Sequence, residues 1–91
     1  MISAEAMATI ERELILLSAG RWKLASMELQ EEGEFLFVMI EVSDTVSSDV
    51  IRSYLEEIKS VIRPKVPTRP KARTWLVAAR QHNEIVESDF E

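Results

Sequence analysis

The spacing of hydrophobic and polar residues changes along this chain, and each change marks an element. From Phe35 to Ile40 every residue is apolar, and Val42 follows Glu41. The run is too short for a lone buried helix and rich in aromatic and β-branched residues, so it predicts a strand. Strand alternation sets Phe35, Phe37 and Met39 on one face and Leu36, Val38, Ile40 and Val42 on the other. Both sets are apolar. Such a strand needs cover on both sides, which marks it as central.

Two stretches carry the helical period instead. From Ser3 to about Ala19, Met7, Ile10, Leu14 and Leu17 recur on one stripe, widened by Ala6 and Ile15. Ser3 suits the N-cap, Glu5 the positive end of the helix dipole, and Gly20 a left-handed stop. The second helix is signalled by the cap-rich run Ser43–Asp49. Ser47 fits the N-cap best, with Val46 and Ile51 stapled across it, and Asp44 or Thr45 is the alternative start. Its stripe is Val50, Ile51, Tyr54, Leu55, Ile58, Val61 and Ile62, with Arg52 and Glu56 as an outer i, i+4 pair. Pro64 should push Arg63 out of helical geometry and end the helix.

The remaining patterns are weaker. Trp22–Leu29 reads as a strand, with Trp22 and Leu24 on one face and Ala25, Met27 and Leu29 on the other. Gln30-Glu31-Glu32-Gly33 then makes a hairpin connection to the central strand. A third strand is expected over Arg73–Arg80, with Trp75 and Val77 on one face and Thr74, Leu76 and Ala78 on the other. Between the second helix and this strand, Arg63–Arg73 holds all three prolines, five cations and no acid. Prolines fix φ and remove donors, so an extended, polyproline-like connector is expected. For Asn83–Glu91 three outcomes stay open: a short fourth strand, a docked turn or a frayed tail.

The order helix–strand–strand–helix–strand resembles a ferredoxin-like fold that lacks its first strand. A crossover through the second helix would make the central and third strands parallel. The expected fold class is therefore α+β, a two-layer sandwich with both helices on one face of a mixed three-stranded sheet. Ligand-sensing cytoplasmic domains, including those appended to cation-efflux transporters, share this order. That resemblance is one of topology and implies no activity.

Composition narrows the classes. Ninety-one residues make a single domain, 1–91, with 46% hydrophobic and 30% charged residues, an ordinary globular balance. No apolar run approaches the roughly 18 residues of a membrane span, and no leader pattern opens the chain. Cysteine is absent. Thiol catalysis and cysteine metal sites go with it, and a reducing, cytoplasmic setting fits. A net charge of −5 argues against nucleic acid as a partner.

Candidate chemistry is sparse. The one histidine, His82, falls in an expected turn, where an ordinary exposed residue is the plain reading. A triad or a zinc site needs more than it can supply. Glu41 with Asp44 or Asp49 could pair as carboxylates, but capping accounts for Asp49. Glu28, Glu31, Glu32 and Glu34 read as a solvated hairpin tip that discourages edge pairing. No catalytic residue, metal or cofactor is expected.

Two features point to protein contact. The cations Arg63, Lys65, Arg69 and Lys71 form either a solvated loop or a docking strip for an acidic partner. Pro64-x-x-Pro67-x-Arg69 also fits the PxxP pattern of polyproline-recognition ligands, though so short a match arises by chance. The second feature is the sheet. Two helices cover one side, so the other should expose several of Phe35, Phe37, Met39, Trp75 and Val77, or their opposite-face counterparts. An exposed apolar patch of that size marks an interface. The expected function is thus a non-catalytic interaction domain acting as a homodimer or on a protein partner. The alternative is a regulatory domain that binds a small ligand or ion in a cleft at a sheet edge or dimer interface.

Overall fold

A computed structural model describes residues 1–91. In chain order the elements are α1 (Ala4–Ser18), β1 (Lys23–Gln30), a 3-10 turn (Glu31–Gly33), β2 (Phe35–Glu41), α2 (Ser48–Ile62), β3 (Trp75–Gln81) and β4 (Glu84–Phe90). The strands form one sheet in the order β1-β2-β3-β4. The outer pairs are antiparallel and the central pair β2/β3 is parallel. The expected helix-over-sheet layering and the parallel crossover are both present.

The sheet has four strands rather than three: of the outcomes open for Asn83–Glu91, the fourth strand is the one found, as β4. The hairpin that makes it is a two-residue turn in which His82 and Asn83 both take positive φ, 53° and 62°. That mirror-image turn matches the twist of its strands, and asparagine tolerates it well. In a ferredoxin-like fold the first strand splits the two strands joined through the second helix; this chain lacks it, and β2 and β3 lie side by side. The α2 crossover closes directly onto its neighbour.

The core lies between the helices and one face of the sheet. Ile10 and Leu14 of α1, with Ile51, Leu55, Ile58 and Ile62 of α2, meet Leu36, Val38, Ile40 and Val42 of β2. Trp75, Val77 and Ala79 of β3 complete it. The caps follow the sequence. The Ser3 side chain accepts from the Ala6 N–H at 3.0 Å, and that of Ser47 from the Val50 N–H. At the other end of α1, Ala19 takes the left-handed conformation just before Gly20.

Local readings change where tertiary contacts intervene. Ala25 is an extra residue in β1, and this bulge shifts the register between Leu24 and Ser26. Leu24 and Met27 thereby both pack on the core, instead of facing opposite ways. Arg63 stays helical despite the following proline, its N–H bonded to the Lys59 carbonyl. Val50 is left exposed at the start of α2. Arg52 bonds Asp49 and Glu87 rather than Glu56, because β4 brings Glu87 alongside α2.

The Arg63–Arg73 connector is not a free polyproline strand. Its start continues the helix in a turn, with the Lys65 and Val66 N–H groups bonded to the Ile62 carbonyl. Val66 is buried in the core. The Arg69 guanidinium donates to the carbonyls of Glu34 (2.8 Å) and Arg73 (2.7 Å), clipping the loop to the start of β2.

Lys59 joins α2 to β4. Its ammonium bonds Glu56 at 2.7 Å and also the Asp89 carboxylate. The hydrogen bond from Lys59 holds the Asp89 carboxyl below its ordinary value, against the opposing effect of burial. Burial is the largest influence on Lys59 and lowers it, but the bonds and charges of Asp89 and Glu56 together leave it raised.

Two outcomes follow for stability. Leu55→Ala removes buried methylenes from the centre of α2 and should cost about 2–5 kcal/mol, seen as an earlier urea midpoint. A midpoint equal to the parent's would mean that Leu55 does not carry the core. The Lys59–Asp89 pair gives a pH signature. The depressed Asp89 stabilises above its ordinary carboxyl value and loses that contribution as pH falls through its folded value. The raised Lys59 stabilises below its ordinary value and loses that contribution as pH rises through its folded one. Asp89→Asn should therefore cost a roughly constant amount, about 1 kcal/mol or less for so exposed a carboxylate, from about pH 5 to about pH 9. The gap from the parent should close in acid, read by urea unfolding across pH. A gap that widens below about pH 4 would contradict the pairing.

Candidate functional site

The two layers leave one sheet face without cover. Met39 and Ala78 are buried, yet neither belongs to the core cluster, because both project from the far side of the sheet. They sit opposite each other in the β2/β3 ladder. Phe37 faces Leu76 one pair along, and Leu76 in turn faces Phe90 of β4. Phe35 extends the row toward the start of β2. The result is a continuous apolar strip across three strands, with Phe90 49% exposed at its margin.

The rim is polar. On β1, Ser26, Glu28 and Gln30 stand opposite Met39, Phe37 and Phe35. At the C-terminal end of β2 and β3, Glu41 and Arg80 form an ion pair. At the other end the Arg73 guanidinium lies 3.9 Å from the Phe90 ring centre, shielding one side of it. An apolar centre inside a polar border is the anatomy of a protein contact surface.

Of the apolar residues read as interface candidates, Phe35, Phe37 and Met39 do lie on the open face. Trp75 does not. The parallel register sets it opposite Leu36, so it points into the core and is fully buried, as is Val77. The residues that replace them are Leu76 and Phe90. Alternation within β3 was legible, but which of its faces joins Phe37 depends on the register between two parallel strands. The His82-Asn83 turn was the available signal for β4 and hence for Phe90.

The cations separate in a similar way. Arg63 pairs with Glu91 (3.2 Å), Lys65 with Glu13 (2.9 Å) and Arg69 with Glu34 (3.6 Å). Lys71 has no ion pair within the chain and sits at positive φ in the loop. Three of the four candidate docking cations thus already balance acids of the same chain. Arg69→Gln should lower stability by about 1–2 kcal/mol through the two lost carbonyl contacts, whereas Lys71→Gln should change it by less than about 0.5 kcal/mol. Denaturant midpoints decide this, and equal midpoints would mean that the Arg69 clip contributes nothing.

The carboxylates do not converge. Glu41 is taken by Arg80 and Asp49 by Arg52, while Asp44 lies 3.3 Å from exposed His82. No cluster of three or more His, Asp or Glu side chains is arranged to hold a metal ion. No helix is long and apolar enough to cross a membrane. Comparisons with protein-family models, curated proteins and solved structures give no match for this chain. The class that fold and surface define is therefore a two-layer α+β domain with one open, apolar sheet face.

Proposed function

We propose that this domain works by protein contact, without catalysis, and that its first contact is with itself through the open face of the sheet. One observation carries the reading: the partly exposed Phe35, Phe37 and Leu76 and the exposed Phe90 form one apolar row on the sheet face that no helix covers. Leaving such a strip in water has a steady cost of about 25 cal/mol for each Å² of apolar surface, which pairing would recover. Two sheets packed about 10 Å apart would interleave these side chains, as the halves of a β-sandwich do.

Size sets the strength. Strands about 4.8 Å apart and about 23 Å long give a face of roughly 400 Å² for the whole sheet. Stable dimers bury about 800 Å² per partner, so this contact alone is a weak to moderate one. A micromolar, reversible dimer is the expected form.

Neighbouring residues of β2 provide the test. Phe37→Glu places its charge on the open face, so the chain should stay folded and associate more weakly than the wild type. Val38→Glu places the same charge in the core, leaves a carboxylate unpaired there, and should unfold the chain. Circular dichroism reads the fold and sedimentation equilibrium the association. A wild type that stays monomeric at several hundred micromolar would remove the homodimer. Equal association of wild type and folded Phe37→Glu would move any self-contact to another surface.

A further inference from the structure

A second unmatched surface lies at the free edge of β1. The two sheet edges differ in kind. β4 carries Glu84, Glu87 and Asp89 and no cation, and Glu87 and Asp89 are already paired with Arg52 and Lys59 of α2. The charged residues of β1 are one cation, Lys23, and one acid, Glu28. Neither forms an ion pair within the chain. Both project from the open side of the sheet, opposite Glu41 and Phe37. Five positions apart, they would normally point to opposite faces; the Ala25 bulge brings them to the same one.

Beside this edge the flank of α1 is apolar and uncovered. Ile15 is 55% exposed and Leu16 75%. A groove of about 450 Å³ runs between Glu11, Ile15 and Ser18 of α1 and the segment from Trp22 to Ser26. A second hollow of about 520 Å³ continues across Ala8, Arg12 and Leu16.

We propose that the occupant of this edge is a second copy of the chain, joined β1 to β1 in antiparallel fashion. A two-fold axis through the sheet between Ala25 and Ser26 sets Lys23 opposite Glu28 of the second copy, and Glu28 opposite its Lys23. The same register sets Leu24 opposite Met27 on the helix side, so every pair matches in face as well as in chemistry. It draws the two α1 helices together over the joined sheet, and the grooves beside Ile15 and Leu16 fill with each other's side chains. Two layers about 20 Å thick along a strand of about 25 Å make a contact of roughly 500 Å² per copy, at the lower end of specific interfaces. The contact is independent of the open face and extends the sheet where the other pairing stacks it.

A charge swap tests it, made in the full chain with Leu76→Glu present, which removes open-face pairing from a strand that Glu28 does not face. Sedimentation equilibrium should still show dimers of folded Leu76→Glu. Adding Lys23→Glu or Glu28→Lys opposes like charges twice across the axis and should weaken this dimer about tenfold or more. The double swap, Lys23→Glu with Glu28→Lys, should restore it to within about threefold, because the pairing is self-complementary. Circular dichroism confirms that each variant is folded. A monomeric Leu76→Glu at several hundred micromolar would overturn the β1 contact without touching the open-face reading, as would singles that associate like their background. Failure of the double swap to restore association would overturn the register. Should Leu76→Glu not fold, Leu16→Ser in the wild-type background replaces it. That exposed change should reduce association about threefold or more, and unchanged association would overturn the proposal.

Discussion

Everything in this domain rests on β2 being apolar on both faces. A strand of that kind has to lie inside a sheet, and the parallel pairing with β3 puts it there. One face, through Leu36, Val38 and Ile40, is answered by α1 and α2. The other has only its strand neighbours. Met39 is 8% exposed and Ala78 fully buried simply because side chains of adjacent strands crowd around them. A two-layer domain of this size has no third layer to spend on that face, so the strip from Phe35 to Phe90 stays available to a partner.

Charge does the opposite job, tying the periphery to the centre. β4 is an edge strand with little to bury, since Ile85, Val86 and Phe90 are all exposed. It is held to α2 by Arg52–Glu87 and Lys59–Asp89. The basic connector is held by Arg63–Glu91, Lys65–Glu13 and Arg69–Glu34. Exposed pairs of this sort are individually weak. Their value here is positional: they fix a proline-bearing loop that lacks a hydrogen-bond ladder. A run of cations that resembles a docking strip in the sequence is therefore largely the internal counterpart of scattered acids. Lys23 and Glu28 stand out against this background as opposite charges on one edge that the fold leaves unmatched.

The open face and the β1 edge also complement each other geometrically. One contact stacks two sheets and the other lengthens a sheet, so their two-fold axes run in perpendicular directions. Where the axes of the two proposed contacts intersect, the contacts together would close a tetramer.

Period and punctuation determined the elements of this protein. The stripes of α1 and α2, their serine caps, the two-sided β2 and the alternation of β3 are local properties, and each follows from side-chain spacing within one segment. The sequence likewise determined that some sheet face would go uncovered. Which residues occupy it was a tertiary decision. Trp75 and Leu76 are equally plausible from alternation alone, and only the pairing of Leu36 with Trp75 sent the tryptophan inward. β4 depended on a two-residue turn whose positive φ values the chain adopts to let Arg52 and Lys59 meet Glu87 and Asp89. The partners of Arg63, Lys65 and Arg69 lie 28 or more positions away in the chain. Such pairings belong to the packed structure, because no local period encodes which distant acid a flexible cation will meet.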